Sequence, residues 1–333
     1  MLPTHKFILD FSLSAKNDDQ FVLKIESDKV HVNYAGIEAL YLNRKSALNF
    51  KLVDSESSEK IDFKLKPFEI YEFKNKADHF KIINLANQIT CLDWCPLFDS
   101  SSQFLALATS AIDKSEFSVK NVYASPNLIY FMKFDDLNSL KAPWAIFAIS
   151  NKSIGFVSCL KWRHPVLTKE EPNVKDNFIG YLLAASSNGN AYIYYVEDLS
   201  LSEKRIIQTN NCVEEISVFE PKKQIILKCS YFCGQCTAAD WSQLNGATQI
   251  AVGYSNGSVS LFQVNSGFLA DQLNSNGGSV DKLNQMVVYP IQTFSAHLTF
   301  VKTLKWSKVN GNILATGSLF SREIKLIILN FLE

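Results

Sequence analysis

Near the end of the chain three β-patterned runs follow one another, at 300–306, 313–318 and 323–329. The first alternates along its length, the second is short and mostly apolar, and the third is rich in Ile and Leu. Gly311 and the polar stretch 318–322 punctuate them, so the pattern predicts an antiparallel meander. A sheet of three strands has two faces and cannot cover both by itself, so this unit requires neighbours of its own kind.

The chain provides them. ITCLDW ending at Trp94, VSCLKW ending at Trp162, CTAADW ending at Trp241 and VKTLKW ending at Trp306 align without a gap. Each has an apolar residue or Cys five places before the Trp and a small or apolar residue two before it. A second β run follows each, at 104–110, 181–187, 249–255 and 313–318, and then a third, at 128–134, 191–196, 258–264 and 324–329. The Trp-to-Trp spacings are 68, 79 and 65 residues. A compact four-stranded propeller repeat takes ~40–45, so long loops are expected within these units.

Outer strands are expected at 144–149, 223–229 and 287–294. Asn188-Gly189 and Asn256-Gly257 sit between paired runs and predict type I′ hairpin turns, with positive φ at both turn residues. The first unit has a long connection at 110–127 instead. Stretches 163–177 and 266–285 are expected to be exposed loops. Residues 1–84 lack the Trp signature; β-like runs at 6–13, 21–25, 30–34 and 68–73 predict degenerate blades or ring-closing strands, with 54–60 a solvated loop. Residues 85–333 carry the recognisable blades, and the whole is expected to be one propeller domain. The last unit lacks an outer strand, which either the N-terminal region supplies or a longer gene product contains.

The fold class is therefore all-β, a propeller with degenerate blades, at least four recognisable and possibly seven. Hydrophobic content of 47 %, with 24 Phe and 12 Tyr, supports a large β core. The 33 Lys plus Arg balance 33 Asp plus Glu, so no global basic field for nucleic acid exists and any contact with it is local or through a partner. Seven Cys, an odd number, several at core-type strand positions, fit a reducing compartment. Neither a signal-peptide pattern nor a ~20-residue apolar run is present, so a soluble intracellular protein with no membrane partner is expected.

The pattern His297, Val301, Leu314-Ala-Thr-Gly-Ser318 and Ile324-Lys-Leu resembles a WD repeat over roughly residues 85–330. The family's blade is held by a His, a Ser or Thr, an Asp and a Trp. His297 and Ser318 match two of these, while Ser321 stands at the Asp position and Ile327 at the Trp position. Asn188 and Asn256 replace the Asp in two other blades, where Tyr194 and Phe262 keep an aromatic. A broken tetrad implies that packing alone supplies rigidity. More narrowly, CLDWCP (91–96), CLKWRHP (159–165), GYLLA from Gly180, ADWS (239–242), IAVGYSNG (250–257), Tyr289-Pro290 and FSAH (294–297) occur in an order similar to the WD-repeat β subunit of transcription factor IIIC. That resemblance implies a nuclear subunit whose propeller pairs with other subunits, a second propeller among them, in a complex that recognises tRNA-gene promoters and recruits RNA polymerase III. The family's basic N-terminal extension is not matched, so DNA is expected to be contacted mainly through the complex.

Candidate chemistry is sparse. Cys229, Cys233 and Cys236, with Cys212 nearby, have spacings that thiolate metal ligands use, but Cys236 occupies the core position of Ile89, Val157 and Val301. Cys233-Gly-Gln-Cys236 as a redox pair lacks a helix N-terminus to lower a thiol pKa. The repeated Trp residues fit strand-end packing better than base stacking, and His297 fits a structural role. No nucleophile triad, HExxH or phosphate loop occurs, so neither a cofactor nor catalysis is expected. Lys302, Lys305 and Lys308 have Lys161, Arg163 and His164 at the matching place of an earlier repeat; together they are a candidate basic rim for phosphate or an acidic partner, against solvated edge residues that deter aggregation. The reading is a non-catalytic scaffold of the transcription factor IIIC complex, or alternatively a generic WD-repeat adaptor such as a ubiquitin-ligase substrate receptor or ribosome-assembly scaffold.

Overall fold

The structure is a computed structural model that describes residues 10–12, 48–53, 60–65, 69–74, 79–85, 87–96, 102–110, 118, 121–134, 145–164, 177–199, 208–209, 212–213, 217–221, 223–229, 233–264, 269, 285–321 and 323–329. The expected runs at 21–25 and 30–34 and most of the expected loops at 54–60, 163–177 and 266–285 lie outside the described residues.

Four antiparallel meanders stand side by side as blades. The first is β6 (Gln88–Trp94), β7 (Gln103–Ser110), β8 (Asn127–Phe134) and β9 (Ala145–Asn151). The second is β10 (Val157–Trp162), β11 (Phe178–Ser186), β12 (Asn190–Glu197) and β16 (Gln224–Lys228). The third is β17 (Cys236–Trp241), β18 (Gln249–Tyr254), β19 (Ser258–Gln263) and β21 (Gln292–Ser295). The fourth is β22 (Val301–Trp306), β23 (Ile313–Ser318) and β24 (Ile324–Ile328). Ahead of them come β1 (Asp10–Ser12), β2 (Leu48–Val53) and β3 (Lys60–Leu65) in one sheet and β4 (Ile70–Lys74) with β5 (His79–Ile83) in another. The first strands of successive blades, β6, β10, β17 and β22, adjoin one another, so the Trp-ended strands form the inner ring. The fold is an all-β, WD-repeat-like propeller arrangement.

The inner strand of every blade carries a bulge at one equivalent place, after Ile89, Val157, Cys236 and Val301. An extra residue there increases the local twist, and its repetition turns the four sheets alike. Apolar layers fill the seams. Phe131, Phe147 and Ala106 of the first blade meet Leu160, Trp162 and Leu182 of the second. Ile193, Tyr195 and Leu183 meet Trp241, Ile250 and Tyr254, and Val259 and Leu261 meet Val301, Leu304 and Trp306. A buried Trp removes ~200 Å² from water, ~5 kcal/mol at ~25 cal/mol/Å², so one per seam is a principal fastener.

The outer strands at 145–151 and 224–228 lie where they are expected. The expected third one, 287–294, is instead two strands. β20 (Gln285–Val288) runs parallel to β16 of the preceding blade, and the chain then crosses to β21 in its own. β15 (Ser217–Phe219) repeats the device, pairing in parallel with β9 before β16 forms. The short pair β13 (Gln208–Thr209) and β14 (Cys212–Val213) lies within that connection. Each long third-to-fourth-strand connection thus stitches a fifth strand onto the blade before it.

The Asn-Gly turns also differ from expectation. Only Gly189 and Gly257 have positive φ, at 88° and 89°; Asn188 and Asn256 do not. Gly189 N–H donates to Ser186 O at 3.3 Å and Gly257 N–H to Tyr254 O at 3.1 Å, which makes three-residue links ending in a left-handed Gly rather than type I′ turns. Each Asn serves through its side chain: Asn188 Oδ1 and Asn256 Oδ1 accept from the N–H two residues on, both at 2.9 Å.

Candidate functional site

Blade faces in this protein are built to be covered, and the seams show how. Asp93 Oδ2 accepts Trp162 N–H at 2.8 Å, and its own carbonyl accepts Trp162 Nε1 at 3.1 Å. Two blades on, Asp240 Oδ2 accepts Trp306 N–H at 2.8 Å. In each case the residue before the Trp in the next blade is a Lys that pairs with the same carboxylate: Lys161 with Asp93 at 3.7 Å, Lys305 with Asp240 at 2.6 Å. The position before the Trp therefore alternates Asp, Lys, Asp, Lys. Between the second and third blades, where the Lys161 side chain has no acceptor oxygen to offer Trp241, other groups act. Ser158 Oγ donates to Cys236 O at 2.8 Å and Cys159 Sγ to Ala239 O at 3.3 Å.

The candidate basic rim is placed around this belt. Arg163 is buried, its guanidinium donating to Ala247 O and Gly246 O at 3.3 and 3.2 Å and lying over the Tyr181 ring. It is a tie between blades. His164 meets Gln243 Nε2 at 2.8 Å; burial, then Lys308, holds its pKa below the ordinary 6.5. Lys161 and Lys305 face carboxylates, and Lys302 and Lys308 are exposed. Four of the six, Lys161, His164, Lys305 and Lys308, thus gather with Asp93 and Asp240 in a belt of mixed sign. The two carboxylates were visible in the sequence as the alternation before each Trp, but nothing in one sequence says that they reach across to the next blade.

His297 and its expected partner part company. His297 Nε2 bonds Thr316 Oγ1 at 3.0 Å, whereas Ser318 Oγ bonds Thr299 Oγ1. Nor does packing alone hold the second blade: Asn188 Nδ2 donates to Tyr192 OH at 2.6 Å and to Ser153 O at 2.7 Å, and Ser186 Oγ bonds Asn188 Oδ1 at 3.0 Å. Tyr194, at the family's Trp position, accepts from Asn151 Nδ2 at 2.9 Å. Cys236 is fully buried in the second seam, as its core position predicts. Cys229 and Cys233 place their sulfurs 2.8 Å apart. Among the described residues no three His, Cys, Asp or Glu side chains are grouped to hold a metal ion.

What remains open is the trailing face of the fourth blade. Across β22, β23 and β24 the register lines up Thr303, Gly317 and Ile324, then Lys305, Ala315 and Leu326, with Ile313 opposite Ile328. The same positions in the earlier blades are Ile129 and Phe131, Ala191 and Ile193, and Val259 and Leu261, all at most 2 % exposed. In the fourth blade Ile324, Leu326 and Ile328 are 78, 70 and 73 % exposed. Phe320 is exposed beside them in the chain, edge-on to Phe300. This face has the apolar composition of a seam, is bordered by Lys305 at its inner edge, and stands open at Ile324, Leu326 and Ile328.

No family model matches the chain. It is 24 % identical over 253 residues to "General transcription factor 3C polypeptide 2" of Homo sapiens and of Pongo abelii, a match that takes in 70 % of this chain and 26 % of each relative. The chain thus spans about a quarter of the length of the curated relatives it matches. Among solved structures it is similar to Chaetomium thermophilum Sqt1 bound to the N-terminus of ribosomal protein L10 (TM-score 0.43, 13 % identity, 83 % of this chain and 63 % of that one). It is also similar to a chain of the Mitotic Checkpoint Complex (TM-score 0.38, 13 % identity, 96 % and 71 %). Blade architecture, and a distant sequence likeness to a general transcription factor subunit, are what the chain shares with known proteins.

Proposed function

We propose that this protein is a non-catalytic propeller scaffold of the transcription factor IIIC complex, acting in the nucleus and supporting RNA polymerase III transcription of tRNA-type genes through protein–protein contacts. The observation that carries the reading is the open face of the fourth blade: Ile324, Leu326 and Ile328 are seam residues without a seam. Exposed on an isolated chain they are a liability; covered by another subunit they are an interface core. The distant likeness to "General transcription factor 3C polypeptide 2" supports the choice of complex. DNA is then reached through the assembly, since the seam cations Lys161 and Lys305 are already matched by carboxylates. The exposed Lys302 and Lys308 are the part of the rim that can meet an acidic partner.

The test is purification of the tagged protein from its own cells, followed by identification of what accompanies it, for the wild type and for Leu326→Glu. Other transcription factor IIIC subunits are expected with the wild type and lost from the variant at unchanged folding. Recovery of cullin adaptors or pre-ribosomes in their place overturns the assignment.

A further inference from the structure

The opposite end of the row of blades has a second uncovered surface. Ile89, Leu92 and Trp94 occupy the positions of Val157, Leu160 and Trp162, of Cys236, Ala239 and Trp241, and of Val301, Leu304 and Trp306. Those nine are at most 5 % exposed, because each inner strand is covered by the blade before it. Ile89, Leu92 and Trp94 are 47, 52 and 44 % exposed. The outer half of the same blade face is covered: Ile70, Ile83 and Leu85, from the β4–β5 hairpin and its exit, pack on Leu107, Leu128, Tyr130 and Met132. Half a blade is in place, and its inner half is missing.

We propose that the β2–β3 hairpin, which lies in a sheet separate from β4–β5 in this structure, docks as that inner half, so that β2, β3, β4 and β5 make one blade with β2–β3 seated on Ile89, Leu92 and Trp94. Three observations converge on this occupant. First, the links from an outer strand to the next inner strand span 152–156, 229–235 and 296–300, and the link from β5 to β6 spans 84–87. β5 therefore stands where an outer strand stands, and strand order makes β4 the third and β2 and β3 the first two. Secondly, the second-to-third-strand links 187–189, 255–257 and 319–323 are short, the first blade's 111–126 being the long exception, and 66–69 between β3 and β4 is as short as those three. Thirdly, the register pairs Leu48 with Leu65, Phe50 with Phe63 and Leu52 with Ile61, so six apolar residues share one face of the hairpin. Asn49, Lys51, Lys60, Asp62 and Lys64 belong to the other, along with Val53. A one-sided hairpin suits a blade with a neighbour on one side, and its apolar face requires a cover of the size that the inner strand of the first blade offers. β1, antiparallel to the far edge of β2, then lies on the channel side.

This inference does not depend on the transcription assignment. It is tested on the purified full-length chain by tryptophan fluorescence, taking the difference between wild type and Trp94→Phe as the Trp94 signal. Trp94 is expected to emit in the blue, to resist acrylamide, and to become several-fold more quenchable in Phe63→Asp with far-UV circular dichroism unchanged. Should Phe63→Asp fail to fold, a chain carrying Leu92→Cys and Phe63→Cys is treated with a short bismaleimide, and an intramolecular crosslink between those two positions is expected by peptide mapping. Trp94 freely quenched in the wild type, shielding that appears only as concentration is raised (a second copy), shielding unmoved by Phe63→Asp, or absence of the crosslink would each overturn the proposal.

Discussion

The carboxylate of Asp240 offers a sharp test of how the seams are held. It is 2 % exposed, accepts Trp306 N–H and pairs with Lys305, whose side chain is half exposed. Burial is the largest influence on it and raises its pKa above the ordinary 3.8 in spite of Lys305 and the Trp306 N–H. The ionised form is therefore only just compensated, and the two partners are not equivalent. Asp240→Asn keeps an oxygen for Trp306 N–H and removes a charge that is costly to bury, so its stability should stay within ~1 kcal/mol of wild type. Lys305→Met leaves that charge without its cation. A fully buried broken pair costs ~3–5 kcal/mol, and water at the half-exposed Lys site reduces this to ~1–3. The double variant should recover most of that loss. Asp240→Ala orphans the Trp306 N–H and should cost ~1–3 kcal/mol. Urea titrations at constant m measure all four. Because the folded pKa is raised, protonated Asp240 contributes stability below about pH 4 that is lost as pH rises through the folded value. The advantage of wild type over Asp240→Asn should therefore shrink from acid to neutral pH. If Lys305→Met proves neutral while Asp240→Asn is severely destabilised, Lys305 does not offset the buried charge and this account of the seam is wrong.

Gly257→Ala should be among the most damaging single-methyl additions, because φ is 89° and the new Cβ would meet the carbonyl oxygens of His297 and Thr299. Gly246→Ala, at φ 70° with Thr248 Cγ2 3.6 Å away, should cost only the ~1–2 kcal/mol of the left-handed region, a contrast thermal melts will display. Arg163→Ala should destabilise by ~2–4 kcal/mol in guanidinium titrations, and Arg163→Lys should rescue it incompletely because a point charge cannot span Ala247 O and Gly246 O as the guanidinium fork does. Burial, then Lys325, lowers the pKa of His297 from 6.5, so its contribution is complete above that value and is lost as pH falls through the folded pKa. Melting temperatures should drop below pH ~6.5 in wild type and less so in His297→Gln. Burial pushes Cys91, Cys95 and Cys233 up to about 12, so iodoacetamide at pH 8 should label them slowly in the folded protein and rapidly in denaturant.

The parts of the fold legible in the sequence are those with a local physical signal. A Trp ending an apolar strand, repeated four times, marks the inner ring because three of those Trp side chains fill a seam against the blade before. The Asn-Gly pairs mark their hairpins because a left-handed position favours Gly, although the backbone uses the Gly alone and Asn188 contributes an amide instead. The parallel strands at 217–219 and 285–288 leave no such mark. They pair with a segment dozens of residues upstream, need no turn, and are too short for a period. Trp94 illustrates a second limit. Its sequence context is that of Trp162, Trp241 and Trp306, yet its exposure is set by what stands in front of it, which no property of its own segment encodes. The same holds for Ile324, Leu326 and Ile328, whose spacing says strand and whose environment depends on a neighbour. Arg163 looked like a rim cation because a sequence shows charge and not direction.

The strands stitched back onto the preceding sheet mean that the unit of inheritance along this chain is offset from the unit seen in three dimensions. Cutting out the third repeat between its first and last strands would also strip the edge, β20, from the sheet before it. Shortening the connection after β12 would likewise uncover β9 in the first. Truncations and grafts designed on sheet boundaries will therefore injure a sheet they were meant to spare, and separating the first three sheets has to shear main-chain hydrogen bonds instead of peeling them away singly.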